Sequence, residues 1–163
     1  DRILSLLGLK VNTFFTKHQG INAKGEKVLY PLELSDESDG TRKLMSIAPA
    51  IESVLNKGGV LIIDEIEKEL HPMLVDFVVA KFQSKQSNPN GAQLIFTTHN
   101  TELMNMEILR KDQLYFADKS SEDGTSELYS ISEFGTRTTD NIRKGYLLGK
   151  YGATPDIEIE EVE

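Results

Sequence analysis

The run Val60-Leu-Ile-Ile63 meets Asp64-Glu65 with no spacer, and this junction constrains the fold more than any other stretch of the chain. Four consecutive aliphatic residues read as a strand covered on both faces, because a half-exposed strand would alternate apolar with polar residues. In an open parallel sheet, the residue just past a strand's carboxyl end lies at the crevice where ligands bind. Two adjacent carboxylates there repel each other unless a cation or a shared proton relieves them. Asp64 and Glu65 are therefore candidates for holding a metal ion and handling a water molecule, with the start of a solvated loop as the alternative.

The flanking sequence alternates helix and strand. Leu44, Ile47, Ala48, Ile51 and Leu55 fall at helical spacing, which predicts an amphipathic helix from about Thr41 to Lys57, closed by Gly58-Gly59. Leu70, Met73, Leu74, Phe77 and Val78 mark a second helix with Pro72 in its first turn, and Ser87 to Gly91 (SNPNG) is a turn. A strand over Gln93 to Thr97, a short helix near Glu102 to Met106 and a third strand over Gln113 to Ala117 follow. Lys27 to Leu34 and Glu127 to Ile131 read as further strands. The expected fold class is α/β, a mostly parallel sheet flanked by helices on both faces. The whole chain, 1–163, reads as a single domain, with a core over 34–118, a strand and helix extension over 119–155 and an acidic tail over 156–163.

Charge and composition exclude several classes. The net charge is −8, but the last eight residues hold five acids, and the remainder carries 18 basic against 21 acidic side chains. A nearly neutral body argues against a broad phosphate-tracking surface. The absence of cysteine rules out disulfides and thiolate metal sites. No apolar run reaches the roughly 18 residues needed to span a bilayer, and the first residues lack the pattern of a secretory signal, so a cytoplasmic protein with no membrane partner is expected. The chain opens at Asp1 with a helical apolar pattern, ILSLLGL, already under way, which suggests a piece of something longer.

Two more stretches carry possible chemistry. His99 follows the strand GAQLIFTTHN, which brings it to the same crevice edge as Asp64, where an imidazole can hydrogen-bond a γ-phosphate or help position water. A surface histidine capping a loop is its alternative. Ser38, Asp39, Gly40 and Thr41 stand at the start of the first helix, whose free N–H groups and dipole favour an anion. As a plain N-cap they need no ligand.

Taken in order, these stretches resemble the ATP-binding heads of the ABC/SMC-like group. ESDGT, Glu37 to Thr41, resembles a divergent ABC signature, with Glu37 and Asp39 in place of leucine and glycine; LIIDE, Leu61 to Glu65, resembles Walker B. EIEKELHP, Glu65 to Pro72, has the spacing of the segment leading into the D-loop, with His71 where transporters usually have aspartate, and TTHN, Thr97 to Asn100, resembles the switch-histidine motif. The E-x-E-x-x-L-H-P wording and KGYLLGKYGATP, Lys144 to Pro155, are similar to bacterial AAA-family ATP-binding proteins related to RecF and to the OLD and abortive-infection ATPases of phage defence.

The resemblance implies a P-loop NTPase fold and ATP with Mg²⁺ as cofactors. It implies Asp64 as metal residue, Glu65 and His99 as catalytic residues, and Ser38, Gly40 and Thr41 as nucleotide-binding residues. It also implies a head-to-tail homodimer sandwiching two ATP molecules, with Ser38 and Gly40 reaching the γ-phosphate held by the partner, and closure driving a nucleic-acid or effector-protein event. A phosphate loop, G-x-x-x-x-G-K-[ST], is missing from the sequence. Gly20-INAK-Gly25-Glu26-Lys27 puts a glutamate before the lysine and a valine after it, and Gly145-YLL-Gly149-Lys150 is one residue short. The chain therefore reads as the C-terminal half of an ATPase head, inactive by itself. Two rival readings remain. One is a non-catalytic dimerisation or partner-binding module, such as a degenerate ATPase or a toxin–antitoxin component; the other is a metal-dependent nuclease using Asp64, Glu65, Glu67 and His71.

Overall fold

The computed structural model describes residues 14–105, 107–135 and 141–154. Its elements run β1 (Phe15–Ile21), β2 (Lys27–Glu33), α1 (Asp39–Lys57), β3 (Val60–Ile63), α2 (Pro72–Gln83), β4 (Gln93–Phe96), β5 (Tyr115–Lys119), β6 (Ser126–Ser130) and α3 (Ile142–Leu147), with short 3-10 turns between several of them. The opening ILSLLGL and the acidic tail lie outside the described residues. Among the described residues no helix is long and apolar enough to cross a membrane.

The mostly parallel sheet is the main correction. β3 and β4 pair in parallel, Val60 opposite Gln93 through Ile63 opposite Phe96. β1 pairs antiparallel with β2, and β5 antiparallel with β6, each as a separate two-stranded sheet. The strand expected from Gln113 to join the parallel pair instead begins at Tyr115 and folds back onto β6, because the turn around Ser120 to Thr125 closes it locally. Gln113 ends a 3-10 turn, and the short helix expected near Glu102 is likewise a single 3-10 turn, Thr101–Leu103.

The second correction concerns coverage. Leu61, Ile63, Leu94 and Phe96 point into a core built with Ile51 and Leu55 of α1 and Val75, Val78 and Val79 of α2. Their neighbours on the opposite face remain open: Val60 is 53%, Ile62 73% and Ile95 54% exposed. An apolar run records that a strand is hydrophobic on both sides, but not that helices of this chain cover both. The face of α2 is also rotated from expectation. Met73 and Phe77 are exposed, while Val75, Val78 and Val79 are buried, and the Lys81 ammonium lies over the Phe77 ring.

Local chemistry explains the element ends. α1 starts two residues before the predicted Thr41 because Ser38 caps it, its hydroxyl accepting the Thr41 N–H at 3.2 Å. It ends at Gly58, whose left-handed φ of 69° releases the chain into β3. The side-chain amide of Asn90, in the SNPNG turn, donates to the carbonyls of Leu55 and Asn56, satisfying two acceptors that a helix end leaves orphaned. His71 caps α2, with Pro72 in its first turn.

The two near-miss phosphate loops have ordinary structural roles. Gly20 lies on β1 opposite Val28, under the Tyr30 ring, and residues 22–26 form the hairpin turn around the Asn22 carboxamide. Gly145 lies in α3 against the Tyr151 ring, leaving no room for a side chain. Tyr151 belongs to a second core with Phe116, Ile131 and Ile142. This core holds the KGYLLGKYGA stretch against the β5–β6 hairpin, where Tyr129 donates to the Tyr151 carbonyl at 2.7 Å.

Candidate active site at the ends of two parallel strands

The site begins where the β3–β4 ladder stops. The Thr97 N–H donates to the Ile63 carbonyl, and the Ile66 N–H donates to the Thr97 carbonyl, both at 3.1 Å, so the backbones stay tied one step beyond the strands. The Thr97 hydroxyl closes the junction: it donates to Asp64 Oδ1 at 2.5 Å and accepts the Glu65 N–H at 2.8 Å. Four hydrogen bonds thus fix the carboxyl end of β4 against the acidic pair.

Glu65 sits at φ 48°, a left-handed backbone that costs an L-residue about 1–2 kcal/mol. Its N–H bond to Thr97 helps hold it there. In this conformation the Glu65 carboxylate lies between two nitrogen groups, with Oε1 3.7 Å from His99 Nε2 and Oε2 3.4 Å from Lys68 Nζ. The imidazole is 87% exposed. Asp64, Glu65 and His99, all expected at one rim, therefore meet at the same end of the parallel pair.

Ser38, Gly40 and Thr41 occupy the start of α1, and their recorded side-chain bonds stay there. Ser38 Oγ lies 3.0 Å from Thr41 Oγ1 in addition to capping its N–H. Gly40 has a packing reason as well: a Cβ at this position would lie 2.9 Å from the Glu69 carbonyl, so the start of α1 packs directly on the loop that follows Asp64 and Glu65. Among the described residues, no hydrogen bond or ion pair joins these three residues to Asp64, Glu65 or His99.

The four residues of the nuclease reading do not converge. His71 Nδ1 accepts the Met73 N–H, and Glu67 Oε1 accepts the His99 N–H. Among the described residues no group of three or more His, Cys, Asp or Glu side chains forms a metal cage.

Two participants escaped the sequence reading. Thr97 is the bridge between the strand ends, and its only sequence signal is a hydroxyl residue directly after an apolar strand. The other lies beside Ser38. Glu37 is buried, and its carboxylate accepts the Thr16 hydroxyl and pairs with His18 Nε2 at 2.6 Å, joining β1 to the segment that leads into α1. Those bonds, first Thr16 and then His18, hold its pKa below the ordinary carboxylate value. The partners lie 19 and 21 residues apart in sequence, so no local pattern announces them.

A family profile described as "AAA domain, putative AbiEii toxin, Type IV TA system" matches residues 22–105, just over half of the chain, and contains every candidate residue named above. The chain belongs to this AAA-domain family. At the family level the AAA domain has the α/β fold of P-loop NTPases and ATPase function. A segment of 78 residues is 36% identical to the Retron Vc95 probable ATPase of Vibrio cholerae serotype O1 biovar El Tor, covering 48% of this chain and 14% of that protein. The AAA-domain match ends at residue 105, before the β5–β6 hairpin and the second core.

Proposed function

We propose that this AAA-domain chain supplies the metal and water side of an ATPase head, while the phosphate-gripping loop comes from other sequence of the protein. The observation that carries the reading is the 3.7 Å approach of the Glu65 carboxylate and the His99 imidazole, at the shared carboxyl end of two parallel strands, with Asp64 pinned beside them by Thr97.

Asp64 suits Mg²⁺. It is exposed, Thr97 occupies one of its oxygens, and the ion takes one or two protein carboxylates while keeping waters and substrate phosphate as its other ligands. Mg²⁺ supplies charge neutralisation on the phosphoryl oxygens when bound. Glu65 aligns the attacking water and accepts its proton, and His99 donates a hydrogen bond to the γ-phosphate side of the site. Ser38, Gly40 and Thr41 form an anion-binding helix start that serves the γ-phosphate held by a second copy in a head-to-tail dimer. ATP thereby holds two heads together, and hydrolysis releases them to act on an effector protein or nucleic acid, in keeping with a toxin–antitoxin or phage-defence role.

The rival reading, a non-catalytic partner-binding module, draws on the open apolar face of Val60, Ile62 and Ile95. ATP turnover by the intact protein separates the two. Glu65→Gln is expected to lower kcat by at least about a hundredfold, the low end of what a positioned general base contributes. Turnover equal to that of the parent would remove Glu65 from the base role, and an intact protein that turns over no ATP would defeat the ATPase reading.

A further inference from the structure

Glu67 lies on the loop between β3 and α2, and its side chain reaches the switch-histidine segment. Oε1 accepts the His99 N–H at 2.6 Å. Oε2 is buried with no hydrogen-bond partner among the described residues. Burial by itself disfavours the ionised carboxylate, but the His99 N–H and the Thr98 hydroxyl outweigh it and hold the pKa below the ordinary value. A carboxylate kept ionised here is a strong acceptor, and a charge-assisted bond is shorter and stronger than one between neutral groups.

The His99 ring has little else to define its place. It is largely exposed, and its recorded partner is Glu65 at 3.7 Å, so its position is inherited from its backbone. That backbone is gripped on both sides, at Thr97 by the Asp64–Glu65 corner and at Asn100, whose N–H donates to Thr98 Oγ1 at 3.0 Å. Between those points the His99 N–H has Glu67 as its acceptor.

We propose that Glu67 is a positioning residue for His99, its carboxylate fixing the peptide from which the imidazole reaches the reacting phosphate. This rests on the role given to His99 above. A misplaced group in an otherwise intact site costs up to about a hundredfold in rate, and the loss falls on kcat when the interaction belongs to the transition state.

The test uses the intact protein, comparing Glu67→Ala and Glu67→Gln by ATP turnover and by the ¹H–¹⁵N signal of the His99 amide. In Glu67→Ala the amide proton is expected to shift upfield, and kcat to fall roughly 10- to 100-fold with KM for ATP within about twofold. Glu67→Gln is expected to recover only part of the rate, since its side-chain carbonyl still accepts the His99 N–H, as a weaker neutral bond, while its NH2 falls where Oε2 is buried without a partner. A Glu67→Ala rate within about twofold of the parent, or a rate loss with the His99 amide unmoved, overturns the assignment. Glu65→Gln keeps the two ideas apart. If it abolishes turnover while Glu67→Ala does not, the positioning role fails and the ATPase reading stands. If the parent turns over no ATP while Glu67→Ala still moves the His99 amide, the ATPase reading fails and the structural grip of Glu67 on His99 stands.

Discussion

Replacing Thr97 by valine removes one hydroxyl and keeps the size and branching of the side chain. In the native protein that hydroxyl makes two bonds, donating to Asp64 Oδ1 at 2.5 Å and accepting the Glu65 N–H at 2.8 Å. A bond to an ionised partner contributes about 1.5–3 kcal/mol when buried, and exposure at this rim reduces it to about 1 kcal/mol; the neutral bond adds about 0.5–1 kcal/mol. Valine returns a few tenths of a kcal/mol through its preference for extended backbone, leaving a net loss of about 1–1.5 kcal/mol. For a chain of this size each kcal/mol moves Tm by about 2–4 °C, so Thr97→Val is expected to melt roughly 2–6 °C below the parent by circular dichroism. Thr97→Ser keeps both bonds and is expected to lose less than half as much. A valine variant melting with the parent, or a serine variant as unstable as valine, would refute the argument that the hydroxyl is the latch between the strand ends.

Two further outcomes test the packing and the charge chemistry. Val78, buried between α2 and the parallel pair, is expected to cost about 2–3 kcal/mol when replaced by alanine, whereas Phe77→Ala on the exposed face stays within about 0.5 kcal/mol; urea midpoints compare them directly. Glu37 has a folded pKa held below its ordinary 4.5, so it binds protons less readily folded than unfolded. Its stabilising effect is complete above that ordinary value and is lost as pH falls through the lower folded value, and Glu37→Gln is expected to flatten this acid limb of stability below the ordinary 4.5 without changing its shape at neutral pH.

The legible parts of the molecule were those encoded by neighbours in sequence. The long helix of α1 follows from Leu44, Ile47, Ile51 and Leu55, and its end from Gly58. The convergence of Asp64 and His99 follows from one rule about strand ends, applied twice. What escaped depends on partners distant in the chain. Val60 to Ile63 carries apolar side chains on both faces whether or not a helix covers each, so the bare side of Ile62 and Ile95 had no sequence mark. Tyr115 to Lys119 looks like any short strand, and only the Ser120 to Thr125 turn returns it to β6. Met73 and Phe77 fit a helical stripe as well as Val75 and Val79 do, and the site of docking chose between them. Thr97 and Glu67 stood in plain view inside quoted motifs, yet a hydroxyl and a third acid acquire meaning only once two strand ends are side by side.

The pairing of β3 with β4 has a kinetic consequence. Parallel neighbours cannot be joined by a tight hairpin, so the Asp64–Thr97 latch, which closes 33 residues of chain, forms only after the intervening helix has crossed over and docked. Acid and imidazole are thus not paired in any early, locally folded state. Should that crossover loosen, even transiently, the two halves of the chemistry separate together, and the site becomes a direct gauge of whether this part of the chain is whole.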